Sequence, residues 1–217
     1  MAFVGVLMLD TQFVRPLGDI GNPQTFAELD IPVQYQMVAG ATPERVVRQG
    51  DQALLPDFIA AAKGLVAQGA TLITTSCGFL VQFQAELEAA LPVPVLTSSL
   101  LWLPRLKERS AVLTIDANAF TAQYLALAQA DPNTPVGGVE SGCEFQIGIL
   151  GNSLNLDLAQ AKQDVVNAAR QLVAKHPSTE CILLECSNMA PYSSAVENAT
   201  QCRVEHIMSL IENTWKR

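Results

Sequence analysis

Apolar residues fall along this chain in short unbroken runs, separated by longer stretches with helical spacing. The runs cover residues 3–9, 33–38, 70–77, 93–97, 110–115 and 181–186, with shorter ones at Val136 and 203–205. Runs this short, with no polar alternation, predict strands buried on both faces of a parallel sheet. Between them, residues 51–68 place Leu54, Leu55, Phe58, Ile59, Ala62, Leu65 and Val66 on one helical face and stop at Gly69. The same reasoning predicts helices over 80–90, 117–130, 156–175, 192–200 and 206–215. Residues 15–23 and 137–155 read as loops, and 40–43 as a turn.

Strands alternating with helices of this length indicate βαβ units. The order helix, strand, cysteine, helix, strand occurs twice, once ending at Cys77 and once at Cys186. The expected fold is therefore α/β: two similar lobes, each a parallel sheet flanked by helices, related by a pseudo-twofold with a cleft between them. Residues 1–97 make the first lobe and 98–206 the second, and 207–217 form a last helix that packs back on the first.

Composition narrows the function. The chain has 217 residues, of which 49% are hydrophobic and 16% charged, enough apolar matter for a sizeable core. A net charge of −8 with scattered lysines and arginines excludes a general nucleic-acid binder. No segment approaches the ~20 apolar residues of a membrane span. The first ten residues lack a basic leader and a small-residue cleavage site, so they read as a strand and not as a signal peptide. Five cysteines, an odd number, fit free thiols in a reducing cytoplasm.

There is no Cys-x-x-Cys and no paired histidine, so no metal is expected. The Gly18–Gly21 segment is followed by Pro23, not by the helix and lysine of a phosphate loop, and reads as a turn or a mobile flap. Lys63, Lys107, Lys162, Lys175 and Lys216 all lie away from buried strand ends, so no Schiff-base cofactor is expected either. Arg15 is read as a solvated side chain ahead of a clamp for a substrate carboxylate. His176 lies at the wrong end of its strand, and His206 reads as a helix N-terminal residue. Cys143, Cys181 and Cys202 read as structural.

That leaves Cys77 and Cys186. Each sits where a strand gives way to a helix, the edge at which open α/β sheets bind ligands. Helix starts favour the thiolate. Two thiols across a cleft suit acid–base chemistry on a carbon acid: one removes a proton, the other returns one to the opposite face.

The first strand ending in Asp10-Thr11, the Ser76-Cys77-Gly78-Phe79 turn and the Glu185-Cys186-Ser187-Asn188-Met189 turn resemble the aspartate/glutamate racemase superfamily over essentially the whole chain. That group of cofactor-independent two-cysteine enzymes also includes hydantoin racemases, maleate isomerases and arylmalonate decarboxylases. The resemblance implies that Cys77 and Cys186 are the acid–base pair of an amino-acid racemase or epimerase, with Ser76 beside the first of them. It places Asp10 and Thr11 near a substrate amino group, and Gly78, Phe79, Ser187 and Asn188 near a carboxylate. Thr114 is a further substrate contact. It also implies a homodimer acting on a small carboxylate or amino-acid-like substrate. Glutamate racemases carry Asn-Thr and Thr-His where this chain has Gly78-Phe79 and Ser187-Asn188, which favours an aspartate-like, hydantoin or other carbon acid. An isomerase or decarboxylase of the same fold is the alternative, and a non-catalytic binder of small acids comes last.

Overall fold

The apolar runs become strands. In the computed structural model, which describes residues 2–216, β1 (Phe3–Met8), β2 (Val33–Met37), β3 (Ala70–Thr75) and β4 (Val95–Leu96) form one sheet in the order β2-β1-β3-β4. β5 (Ser110–Thr114), β6 (Val136–Gly138), β7 (Cys181–Leu184) and β8 (Arg203–Glu205) form a second in the equivalent order β6-β5-β7-β8. Every pairing is parallel. The two lobes therefore repeat one topology, as the twofold sequence pattern implies.

Helices cover the sheets: α1 (Pro23–Ala27), α2 (Leu55–Ala67), α3 (Gln84–Ala90), α4 (Ala122–Leu127), α5 (Glu144–Leu150), α6 (Leu158–Lys175), α7 (Ser193–Thr200) and α8 (Ile207–Trp215). Asp157 starts α6 by accepting the N–H groups of Ala159 and Gln160. The last helix buries Ile207, Met208, Leu210 and Ile211 in an apolar cluster with Val4 and Val6 of β1 and Leu183 of β7. Among the described residues no helix is long and apolar enough to cross a membrane.

Three local expectations change. The helix expected over 117–130 is confined to α4, because Asp116 turns its carboxylate onto the N–H groups of Asn118 and Ala119. The loop expected over 137–155 contains α5, whose Phe145, Ile149 and Leu150 are buried. The helices expected over 80–90 and 192–200 are each preceded by a tighter 3₁₀ segment, Gly78–Phe83 and Ser187–Tyr192. The 3₁₀ turns make their i→i+3 bonds back to the two cysteines: Leu80 N–H to the Cys77 carbonyl at 3.1 Å, and Met189 N–H to that of Cys186 at 3.0 Å.

In each sheet the central pair, β1/β3 and β5/β7, marks the point where the strand order reverses. Ligands of open α/β sheets bind beyond the carboxyl ends of such strands. The lobes meet with these ends facing, joined by the Ser99 hydroxyl donating to the Leu184 carbonyl at 2.8 Å.

Candidate active site

Beyond the four central strand ends lies a narrow pocket. Leu9 and Thr11 follow β1, Ser76 to Phe79 follow β3, Ile115 follows β5, and Glu185 and Cys186 follow β7. Asn188 completes the polar wall; Phe13 and Arg15 enter from the loop after β1, Pro43 and Val47 from the turn after β2, and Ile149 and Leu150 from α5.

The structure thus brings Cys77 and Cys186 to one pocket, with Thr11, Ser76, Gly78, Phe79 and Asn188. It places Asp10, Thr114 and Ser187 outside the lining. The Asp10 carboxylate turns away to accept the Gly40 N–H at 2.9 Å, holding a turn whose glycine has φ +71°. Thr114 stands behind Glu185, donating its hydroxyl to Oε2 at 2.7 Å. The Ser187 hydroxyl donates to the Ser76 carbonyl at 2.6 Å. These three hydrogen bonds hold the walls in place.

Two charged residues of the pocket stand outside the expected set. Arg15 is not solvated: its side chain is only 12% exposed and its guanidinium is fixed on three sides. It donates to Asp19 Oδ1 and to the Thr11 hydroxyl, both at 2.8 Å, and lies 4.5 Å over the Phe13 ring. Asp19 is itself buried and accepts from the Gly21 N–H and from Asn188 Nδ2, at 2.7 and 2.8 Å. A polar chain therefore runs from Thr11 through Arg15 and Asp19 to Asn188, and so across the lobes to the Cys186 side. The expected flap is knitted down by it. The other is Glu185, 1% exposed. Its signal was a carboxylate closing the buried run Cys181-Ile182-Leu183-Leu184. His206, by contrast, is the N-cap of α8 and takes no part in the lining.

The electrostatics separate the two thiols. Burial pushes Cys77 up to about 12, and the neighbouring Glu185 adds to this; the N–H groups of Phe79 and Leu80 and the charge of Arg15 act the other way. Burial raises Cys186 as well, with Glu185, Cys77 and Asp19 adding to it and the Asn188 N–H opposing. Cys77 thus has two N–H groups and the Arg15 charge on the side of its thiolate, and Cys186 one N–H group. Burial lifts Glu185 to about 7, against the pull of the Thr114 hydrogen bond. A positively charged guest is what such a site needs to hold a thiolate at neutral pH.

No protein-family model matches the chain. A dimethylsulfoniopropionate lyase from Durusdinium sp. clade D is 32% identical over 214 residues, which is 92% of this chain and 69% of that protein. Dimethylsulfoniopropionate lyase 3 of Emiliania huxleyi is 32% identical over 221 residues, covering 93% of this chain. The chain spans only 56% of that relative's length. Among solved structures, unliganded arylmalonate decarboxylase superposes with a TM-score of 0.60 at 16% identity, covering 99% of this chain and 90% of that one. Glutamate racemase from Bacillus anthracis gives 0.63 at 14% identity, covering 99% and 80%. The fold is that of the aspartate/glutamate racemase superfamily. The expected racemase activity is corrected: the sequence relatives are lyases, and likeness at 14–16% identity carries the fold alone.

Proposed function

The chain belongs to the dimethylsulfoniopropionate lyase family, and from that premise we propose that it splits dimethylsulfoniopropionate into dimethyl sulfide and acrylate at the pocket between the lobes. The observation that carries this reading is the meeting of two thiols with a buried, pre-oriented arginine in one small pocket.

The reaction is a β-elimination. A base removes a proton from the carbon next to the carboxylate. The electron pair of that C–H bond becomes the C=C bond of acrylate. The C–S bond breaks, and its pair leaves on sulfur as neutral dimethyl sulfide. Cys77 is the base, being the thiol with more N–H support and the arginine within Coulombic reach. It starts as a thiol; the substrate's sulfonium charge lowers the cost of ionising it, its own proton leaves to solvent, and the abstracted proton restores the thiol, so each turnover releases one proton. Arg15 holds the carboxylate and takes up the charge that builds on it as the C–H bond breaks. Cys186, with one N–H group beside it and no cation acting on it, stays a neutral thiol on the facing wall and offers its S–H to the same developing charge. Leu9, Ile115 and Ile149 keep bulk water from the reacting carbon.

The test is direct. Purified protein is incubated with dimethylsulfoniopropionate; headspace gas chromatography follows dimethyl sulfide and proton NMR follows acrylate. Equal release of the two products is expected, and it should fall by about 10²- to 10⁴-fold in Cys77→Ser. Absence of both products from the folded wild-type protein overturns the reading.

A further inference from the structure

The elimination as written leaves one buried acid without a task. Glu185 lies between the cysteines on the pocket wall and is 1% exposed. Its main-chain N–H donates to the Leu113 carbonyl at 2.9 Å, continuing the β5–β7 ladder, so its backbone is fixed. Oε2 accepts from Thr114, but Oε1 is buried with no hydrogen-bond partner. The carboxyl rests directly on the main chain of Gly78: a Cβ there would sit 2.2 Å from Oε1. It therefore stands against the turn that carries Cys77 and Phe79.

An unpartnered buried acceptor is costly, and a buried carboxylate without a counter-charge more so. A titratable group of this kind in a cleft is a functional-site candidate, and a positive charge is what would match it. Among the described residues lining the pocket, Arg15 is the one cation, and its charge is already matched by Asp19 at 2.8 Å. The pocket thus offers, among apolar side chains, a matched cation for a carboxylate and an unmatched acid for something positive. A charged head bearing methyl groups fits the second end: Glu185 meets its charge, and Phe79 and Ile115 meet its methyls.

We propose that Glu185, seated on Gly78, is the anchor for the cationic head of the substrate and makes the pocket selective for onium zwitterions over neutral-headed acids of the same shape. The assignment rests on the lyase reading, which supplies the sulfonium. It predicts that the pocket takes a carboxylate joined through two carbons to any permethylated cation of this size, whether or not that cation can leave.

Two inert probes test it: 3-(trimethylammonio)propionate and 4,4-dimethylpentanoate, which share a shape and differ by one positive charge. Calorimetric titration at about pH 8, where Glu185 is ionised, compares them on wild type and on Glu185→Gln, a variant that keeps an acceptor for Thr114. Wild type should bind the cationic probe about tenfold more tightly or better, and Glu185→Gln should bring the two within about threefold. Equal binding by wild type, no binding of either probe at millimolar concentration, or a preference that survives Glu185→Gln overturns the anchor. Because the wild-type comparison needs no variant, a folding defect in Glu185→Gln leaves the idea open to refutation. The two proposals fail separately. Probe discrimination without dimethyl sulfide release sinks the lyase reading alone, and release with unchanged discrimination sinks the anchor alone.

Discussion

The Ser187 hydroxyl donates to the main-chain carbonyl of Ser76 at 2.6 Å, joining the residue after one pocket cysteine to the residue before the other. Both residues are buried, so removing the donor strands the carbonyl away from water. Ser187→Ala should therefore cost about 1–3 kcal/mol. Urea unfolding reports it as a lower midpoint at unchanged slope. A midpoint equal to wild type would mean that the lobes are held without this bond.

Glu185 should leave its mark on stability. Its native carboxyl titrates at about 7, against an ordinary value of 4.5. Between these values the folded state binds more protons than the unfolded one, so stability is full below about pH 4.5 and is lost as pH rises through 7. The loss comes to about 3 kcal/mol. Glu185→Gln does not titrate, so its stability relative to wild type should climb by that amount over the same range. The lowered His206, whose protonation in the unfolded state removes stability as pH falls, acts alike in both proteins and cancels. The raised cysteines matter only above about pH 9. Denaturant titrations from acid to mildly alkaline pH make the comparison, and a flat difference would refute the assignment.

The two cysteines should not respond equally. Cys77→Ser removes the base and should lower kcat for dimethyl sulfide release by about 10²- to 10⁴-fold. Cys186→Ala removes a neutral donor and should cost less, about tenfold to a hundredfold. If Cys186→Ala proves the more damaging, the assignment of base and donor is reversed.

Arg15→Ala should lower kcat/KM by about 10- to 150-fold, the worth of a hydrogen bond to a charged group. Asp19→Asn should fall in the same direction by less, because it loosens Arg15 and frees Asn188 without removing the guanidinium. Steady-state kinetics on dimethylsulfoniopropionate check both; an Arg15→Ala variant with wild-type kcat/KM would move the carboxylate elsewhere.

The strands were legible because a parallel strand covered on both faces must be apolar throughout, and 3–7 and 181–184 show that directly. The cysteines at their ends followed from the same pattern. Helix α5 was not legible: seven residues containing Gly148 show too little periodicity, and it took packing by Phe145 and Ile149 to fix them. Arg15 was misread for a related reason. Its burial depends on Asp19, whose other partner, Asn188, is 169 residues further along the chain. No local pattern carries a pairing of that range. Glu185 was visible as an acid closing an apolar run, yet only the pocket gives that oddity a meaning.

Gly78 is not required by its backbone angles, which lie outside the left-handed region, but by what leans on it. A methyl group there would meet Glu185 Oε1 at 2.2 Å and the Glu185 carbonyl at 2.4 Å, on the opposite lobe. The carbonyl contact is main chain and stays whatever side chain stands at 185, so replacing the glutamate does not free position 78. Any side chain at 78 would push one lobe off the other at the pocket, and glycine there is a condition of their closing on each other.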